Sequence, residues 1–146
     1  MKHPNFHPVI FLPADYEVYD FSEDYDPNRV LKSPFGIGRY NEHRPQMYKE
    51  SQFTDTLRTI HIGIDIGAPL GTQVHAFDDG IIFLQGYNPL PQDYGATIIT
   101  KHEFQGKSLY VLYGHLSLAS LDLHHEGEAF PRGAILATLG NKSENG

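Results

Sequence analysis

At ~100–200 residues per domain, a chain of 146 residues holds one domain with little room for a second. Eleven Lys and Arg against 18 Asp and Glu leave a formal charge of −7, which argues against nucleic acid as the main partner, since that binding rests on clustered cations at phosphates. Cysteine is absent, so disulfides, thiolate metal sites and thiol nucleophiles are excluded. No apolar run approaches the ~20 residues that span a bilayer. The longest N-terminal one, Val9–Leu12, is too short for a signal-peptide core, so no export signal is visible and the reading is cytoplasmic unless another route exports the chain.

In chain order, residues 1–32 read as an acidic, aromatic arm. Asp15, Glu17, Asp20, Glu23, Asp24 and Asp26 lie among Tyr16, Tyr19, Phe21 and Tyr25. Such an arm either packs its aromatics on the domain or, as a regulatory segment, covers a cationic or metal-containing groove. All 14 glycines follow Phe35, and from Ser33 to Gly146 the text turns to β. Thr59–Ile66 alternates Ile with polar or small residues, a period of two. Gln73–Phe77 and Gly80–Leu84 read as strands joined as a hairpin at Asp78-Asp79-Gly80. Ala96–Thr100 and Ser108–Tyr113 form another pair, linked through Phe104-Gln105-Gly106-Lys107. Leu116–Leu123 allows a turn or two of helix with Ser117 or Ser120 as cap, and Ala134–Leu139 is a last short strand. Short strands at Gly-marked intervals predict an all-β, compact antiparallel sandwich or barrel.

Nine histidines stand out on such a chain, and two fall in informative surroundings. The first is His61-Ile62-Gly63-Ile64-Asp65. Imidazole and carboxylate are both good zinc ligands at ~2.0–2.2 Å, so donors sharing one ion lie ~3–3.5 Å apart. A straight strand separates residues four apart by ~13 Å, so the backbone must bend, and Gly63 is suited to supply the bend. The second is Tyr113-Gly114-His115-Leu116. Its β period places Tyr113 and His115 on one face, with His115 at a strand end, where an oriented catalytic imidazole is often found. Taken singly, each feature is more often structural than functional.

Together they sit inside a longer ordered pattern. Ser33-Pro34-Phe35-Gly36-Ile37-Gly38-Arg39, His61–Val74, Asp79–Ile82, Gly95–His102, Tyr113–Ser117 and Gly127–Gly140 resemble, in order and spacing, the lysostaphin/LytM-type zinc metallopeptidases. The resemblance covers about Ser33 to Gly140. It implies a compact antiparallel β fold with one Zn²⁺, metal ligands at His61 and Asp65, and a catalytic, non-ligating His115. It implies hydrolysis of peptide cross-links of bacterial peptidoglycan. Zinc lowers the pKa of water toward ~7 and polarises a carbonyl, and a nearby imidazole takes the proton or stabilises the oxyanion.

One part of that family pattern has no match. The third ligand and a second catalytic histidine come from a His-x-His motif downstream of a glycine such as Gly140, and the last histidine here is His125. His124-His125 is adjacent rather than alternating, so in a strand the two rings point to opposite faces. Two protein ligands fall short of the three usual in catalytic zinc sites. The chain therefore reads as incomplete at its C-terminus, without its last strands, binding zinc weakly and inactive as a peptidase. The alternative is a non-catalytic binding or scaffolding module of the same fold. The stretches around Phe35–Glu42 and Arg58–Asp65 also resemble a cytosolic subgroup, in which such a domain sits inside larger multidomain proteins.

The remaining histidines read as structural or peripheral. His75 is expected on a surface or groove wall, His102 at a strand end in a structural role, and His43 in a polar, Arg-flanked loop. His3 and His7 lie in the arm. Arg39 is expected to fix a loop. A lipoyl or biotinyl carrier is disfavoured, because it needs a Lys at the tip of a tight turn and neither Lys101 nor Lys107 lies in such a motif. Gly36-Ile37-Gly38 does not extend to a nucleotide-binding Gly-x-Gly-x-x-Gly.

Overall fold

The structure is a computed structural model that describes residues 5–22, 30–45, 59–90 and 93–144. His3 and the acidic Glu23, Asp24 and Asp26 with Tyr25 lie outside these residues. The fold is all-β. Eleven strands are described: β1 (Glu17–Val18), β2 (Gly36–Gly38), β3 (Glu42–His43), β4 (Ile60–His61), β5 (Asp65–Gly67), β6 (Gln73–His75), β7 (Gly80–Asn88), β8 (Gly95–Phe104), β9 (Lys107–Leu116), β10 (Ala129–Phe130) and β11 (Ile135–Thr138). Helical structure among the described residues is one 3₁₀ segment, Leu118–Asp122. Among them, no helix is long and apolar enough to cross a membrane. The chain divides into two compact units, one of Met1–Phe11 with Leu70–Gly146 and one of Leu12–Pro69.

The first unit is built on an antiparallel sheet in the order β10-β7-β8-β9. Its centre, β8, alternates as a half-buried strand does. Ile98, Thr100 and His102 turn inward, while Ile99, Lys101 and Glu103 are more accessible. Ile82, Ala96, Ile98, Leu116, Phe130, Leu136 and Ala137 form the apolar core with Val74 and Ala76, each larger side chain stabilising the fold by about 1.5–3 kcal/mol through burial. The β8–β9 hairpin turns at Gln105-Gly106, both at positive φ (52° and 75°), as a two-residue hairpin loop requires. Gly106 adopts that conformation without the steric cost of a side chain.

The expected hairpin at Asp78-Asp79-Gly80 is not formed. β6 pairs with β11, and β7 pairs with β8 and β10. The turn residues signal a change of direction, whereas pairing is decided by partners distant in sequence. His102 is structural, as expected: Nδ1 lies 2.8 Å from the Asp79 carbonyl and Nε2 2.7 Å from Thr100 Oγ1. His75 corrects the sequence reading. It is buried, its Nδ1 donates to the Gly133 carbonyl at 3.1 Å, and its ring packs on His7 and Phe11. The N-terminal segment enters this unit by backbone hydrogen bonds, His7 N to Phe77 O and His75 N to Val9 O, both 2.8 Å. Ser117 occupies the N-cap position of the 3₁₀ segment without capping it by its side chain. Its hydroxyl bonds those of Ser120 and Thr138 instead.

The second unit contains a three-stranded sheet in the order β1-β2-β5 and the β3–β4 ladder. β1 runs parallel to β2, and β2 antiparallel to β5, with Gly38 opposite Asp65. Tyr19 is the buried aromatic here, its ring lying against the backbone at Gly36 and Gly67. The expected Thr59–Ile66 strand is real at both ends and broken in the middle. β4 stops at His61, β5 starts at Asp65, and Ile62–Ile64 forms the bend. Ile62 and Ile64 are exposed there.

Candidate functional site

The bend brings together the pair singled out by sequence. His61 Nε2 lies 3.4 Å from Asp65 Oδ1, the separation expected of two donors sharing one ion. Gly63 makes room for this, since a Cβ there would stand 3.1 Å from His61 Nε2. The other ring nitrogen, Nδ1, lies 3.3 Å from the Arg39 carbonyl oxygen. A carbonyl only accepts, so Nδ1 carries a proton in that bond, and in a neutral ring Nε2 then presents a lone pair. The same second bond orients metal-ligating imidazoles in general. Asp65 Oδ1 is also a lone-pair donor. Two electron-rich atoms facing one another at this distance call for a cation or a proton between them.

The remaining oxygen of Asp65 is committed. Oδ2 accepts from Arg44 Nη2 at 2.7 Å, and Arg44 Nε donates to Glu42 Oε2 at 2.8 Å. The Arg44 side chain is only 2% exposed and that of Glu42 5%, while that of Asp65 remains 43% exposed. Arg39 Nη1 joins the edge of this network, 3.1 Å from Asp20 Oδ2 and 3.7 Å from Glu42 Oε1. Arg39 therefore fixes a loop, as expected, and also supplies the carbonyl that orients His61. Arg44 and Glu42 escaped the sequence reading. Their signal was slight: two opposite charges two residues apart, hence on one face of a strand, in a stretch otherwise read as polar loop.

His115 lies in the other compact unit, at the end of β9. Opposite it the register moves from Ala96↔Leu116 to Ile98↔Tyr113. Gly114 and His115 thus stand against the single residue Thr97, which is a β-bulge. His115 has φ 57°, a left-handed conformation that costs a residue with a Cβ about 1–2 kcal/mol and that His adopts more readily than most. Its N–H donates to the Tyr94 carbonyl at 2.6 Å, and its carbonyl accepts from Gly140 N at 3.1 Å. The bulge overturns the expectation that Tyr113 and His115 share a face: Tyr113 is buried and His115 exposed. Burial pushes the Tyr113 phenol up to about 12, with Thr100 and the Phe77 backbone pulling partly the other way.

His124 and His125 form no metal pair. His124 Nδ1 lies 2.9 Å from Glu128 Oε1 and its Nε2 3.0 Å from the Ile135 carbonyl, so both nitrogens are engaged in bracing the loop. His125 has an exposed ring. The Glu128 carboxyl is held below the usual range by hydrogen bonds from the His124 ring and the His125 backbone. Among the described residues, no group of three His, Cys, Asp or Glu side chains is placed to hold a metal.

The sequence profile described as Peptidase family M23 matches residues 59–146, more than half of the chain. That span includes His61, Asp65 and His115. No curated protein and no solved structure matches the chain.

Proposed function

The chain belongs to peptidase family M23, a metallopeptidase family, and from that premise we propose a zinc-dependent endopeptidase-like domain directed at peptide cross-links of the peptidoglycan class. His61 Nε2 and Asp65 Oδ1 would hold the ion, and their separation of 3.4 Å is the observation that carries the reading. A zinc ion bound there would supply Lewis acidity toward a peptide carbonyl and toward water. Asp65 contributes the anionic donor through one oxygen only. His61 would contribute Nε2, with the ring oriented by the Arg39 carbonyl at Nδ1. His115, exposed on its bulge, is the residue proposed to accept the proton of the attacking water or to stabilise the charge developing on the carbonyl oxygen.

The family resemblance implies three protein donors, of which His61 and Asp65 are two. With two donors instead of the three usual in catalytic zinc sites, the His61–Asp65 pair is expected to bind zinc weakly and to support no cleavage by itself. A second reading, a non-catalytic binding or scaffolding module of the same fold, draws support from the absence of a three-residue metal group among the described residues.

The test is a zinc titration of the chain and of His61→Ala, followed by ¹⁵N NMR of the histidine rings, with a peptidoglycan-peptide cleavage assay alongside. The expected result is weak one-to-one ligation at His61 Nε2, lost in the variant, and no cleavage. Tight binding with cleavage would overturn the inactivity. Identical titrations of the two proteins would overturn the metal site and leave the module reading.

A further inference from the structure

We infer that Arg44 is a positioning residue for the cation site: with Glu42 behind it, it pins one oxygen of Asp65 and leaves the other aimed at His61 Nε2. The inference rests on the reading of His61 and Asp65 as a cation-binding pair, and it names a residue which that reading does not require.

A buried guanidinium is a poor way to stabilise a fold. Desolvating the charges costs several kcal/mol per ion, and apolar replacements of similar size are often as stable or more so. Arg44 is buried nonetheless, and its contacts are specific. Nε faces Glu42 Oε2, Nη2 faces Asp65 Oδ2, and the guanidinium carbon lies 4.7 Å from the centroid of the Phe21 ring. Glu42 is itself anchored, since its Oε1 accepts from the Phe21 backbone N–H at 3.3 Å. The planar fork of Arg spans two carboxylates in fixed directions, which the point charge of Lys does not.

The backbone is shaped to admit this arrangement. Gly38 sits opposite Asp65 in the β2–β5 ladder. A Cβ at Gly38 would stand 2.5 Å from Asp65 Oδ2 and 2.9 Å from Arg44 Nη2. The missing side chain is therefore the space in which the Arg44–Asp65 bond is made. As a result the two oxygens of Asp65 are divided, Oδ2 to Arg44 and Oδ1 to His61. An unpinned carboxylate would be free to rotate about χ2 and present either oxygen, or neither, to an ion.

Charge and position predict opposite signs for the loss of Arg44. A guanidinium next to an anionic ligand repels a divalent cation, so an electrostatic role alone means tighter binding once it is removed. A positioning role means weaker binding, by the ~10–100-fold typical when a partner of a metal ligand is lost.

The experiment measures Zn²⁺ affinity by a backbone ¹⁵N NMR titration of the unmodified protein, His61→Ala, Gly38→Ala, Arg44→Lys and the double variant Glu42→Gln/Arg44→Met, with the His61 ring followed in every protein that retains it. The double variant removes both buried charges together, so neither is stranded. Expected is a ~10–100-fold loss of affinity in the double variant and in Gly38→Ala, with Arg44→Lys also weakened and the backbone spectrum of β2 and β5 retained. Affinity equal to or above that of the unmodified chain in the folded double variant overturns the inference. If the double variant does not fold, unchanged affinity in both Gly38→Ala and Arg44→Lys overturns it instead. Failure of the underlying reading shows separately, as an unmodified chain whose titration matches that of His61→Ala.

Discussion

Residues Leu70–Gly146 bury Val74, Ile82, Ile98, Leu116, Phe130 and Leu136, whereas Leu12–Pro69 buries Tyr19, Ser33, Glu42 and Arg44 among its described residues. The first unit is held by apolar area, which is non-directional and tolerates small shifts. The second buries, among its described residues, a charged network whose contacts are short and directional. The candidate metal ligands lie in the second. Directional bonds are what an ion site needs, because donors must be held in place before the ion arrives. The left-handed histidine lies in the first, where the long β8–β9 ladder can hold a conformation that a looser segment would relax.

The strongest way to break this contrast is Arg44→Met, which strands Glu42 beside an apolar side chain. We expect a loss of about 3–5 kcal/mol in denaturant unfolding, most of it recovered in Glu42→Gln/Arg44→Met. A single variant that unfolds like the unmodified chain would mean that the second unit does not depend on its ion network. Next comes Leu136→Ala in the apolar unit, expected to cost about 3 kcal/mol by leaving a cavity in a fully buried site. No companion substitution should restore that loss as neutralising Glu42 does for Arg44, because no charge is left stranded.

The smallest effect concerns an exposed charge. Asp20 is held at about 2 by hydrogen bonds from the Ser22 hydroxyl and backbone, then by Arg39. Its folded pKa is depressed, so its contribution is present above the ordinary carboxylate range and lost as the pH falls toward about 2. Ser22→Ala should raise the NMR midpoint of Asp20 more than Arg39→Gln does, with little change in melting temperature for either. The reverse order would make the ion pair, rather than the local turn, the dominant influence.

The all-β class, the strands β6 to β9 and β11, and the turn at Gln105-Gly106 were legible because alternation and turn residues are local signals. The bend between His61 and Asp65 was legible because two side chains four residues apart, if they are to share an ion as proposed, cannot meet on a straight strand. The pairing of β6 with β11 was not, nor the burial of His75, whose partners His7 and Gly133 are remote in the chain. The same limit hid Arg44, which sits 21 residues from Asp65.

By itself, then, the sequence determined the family, the strand alphabet and the three residues proposed for chemistry: His61, Asp65 and His115. Tertiary structure decided how those residues are held. It divided the two oxygens of Asp65 between Arg44 and His61, and it turned His115 outward at a bulge while Tyr113 stayed inside. The physical reason is the same in both cases. Periodicity reports which face a residue takes along its own strand, whereas the partner across the ladder is chosen only when distant segments meet.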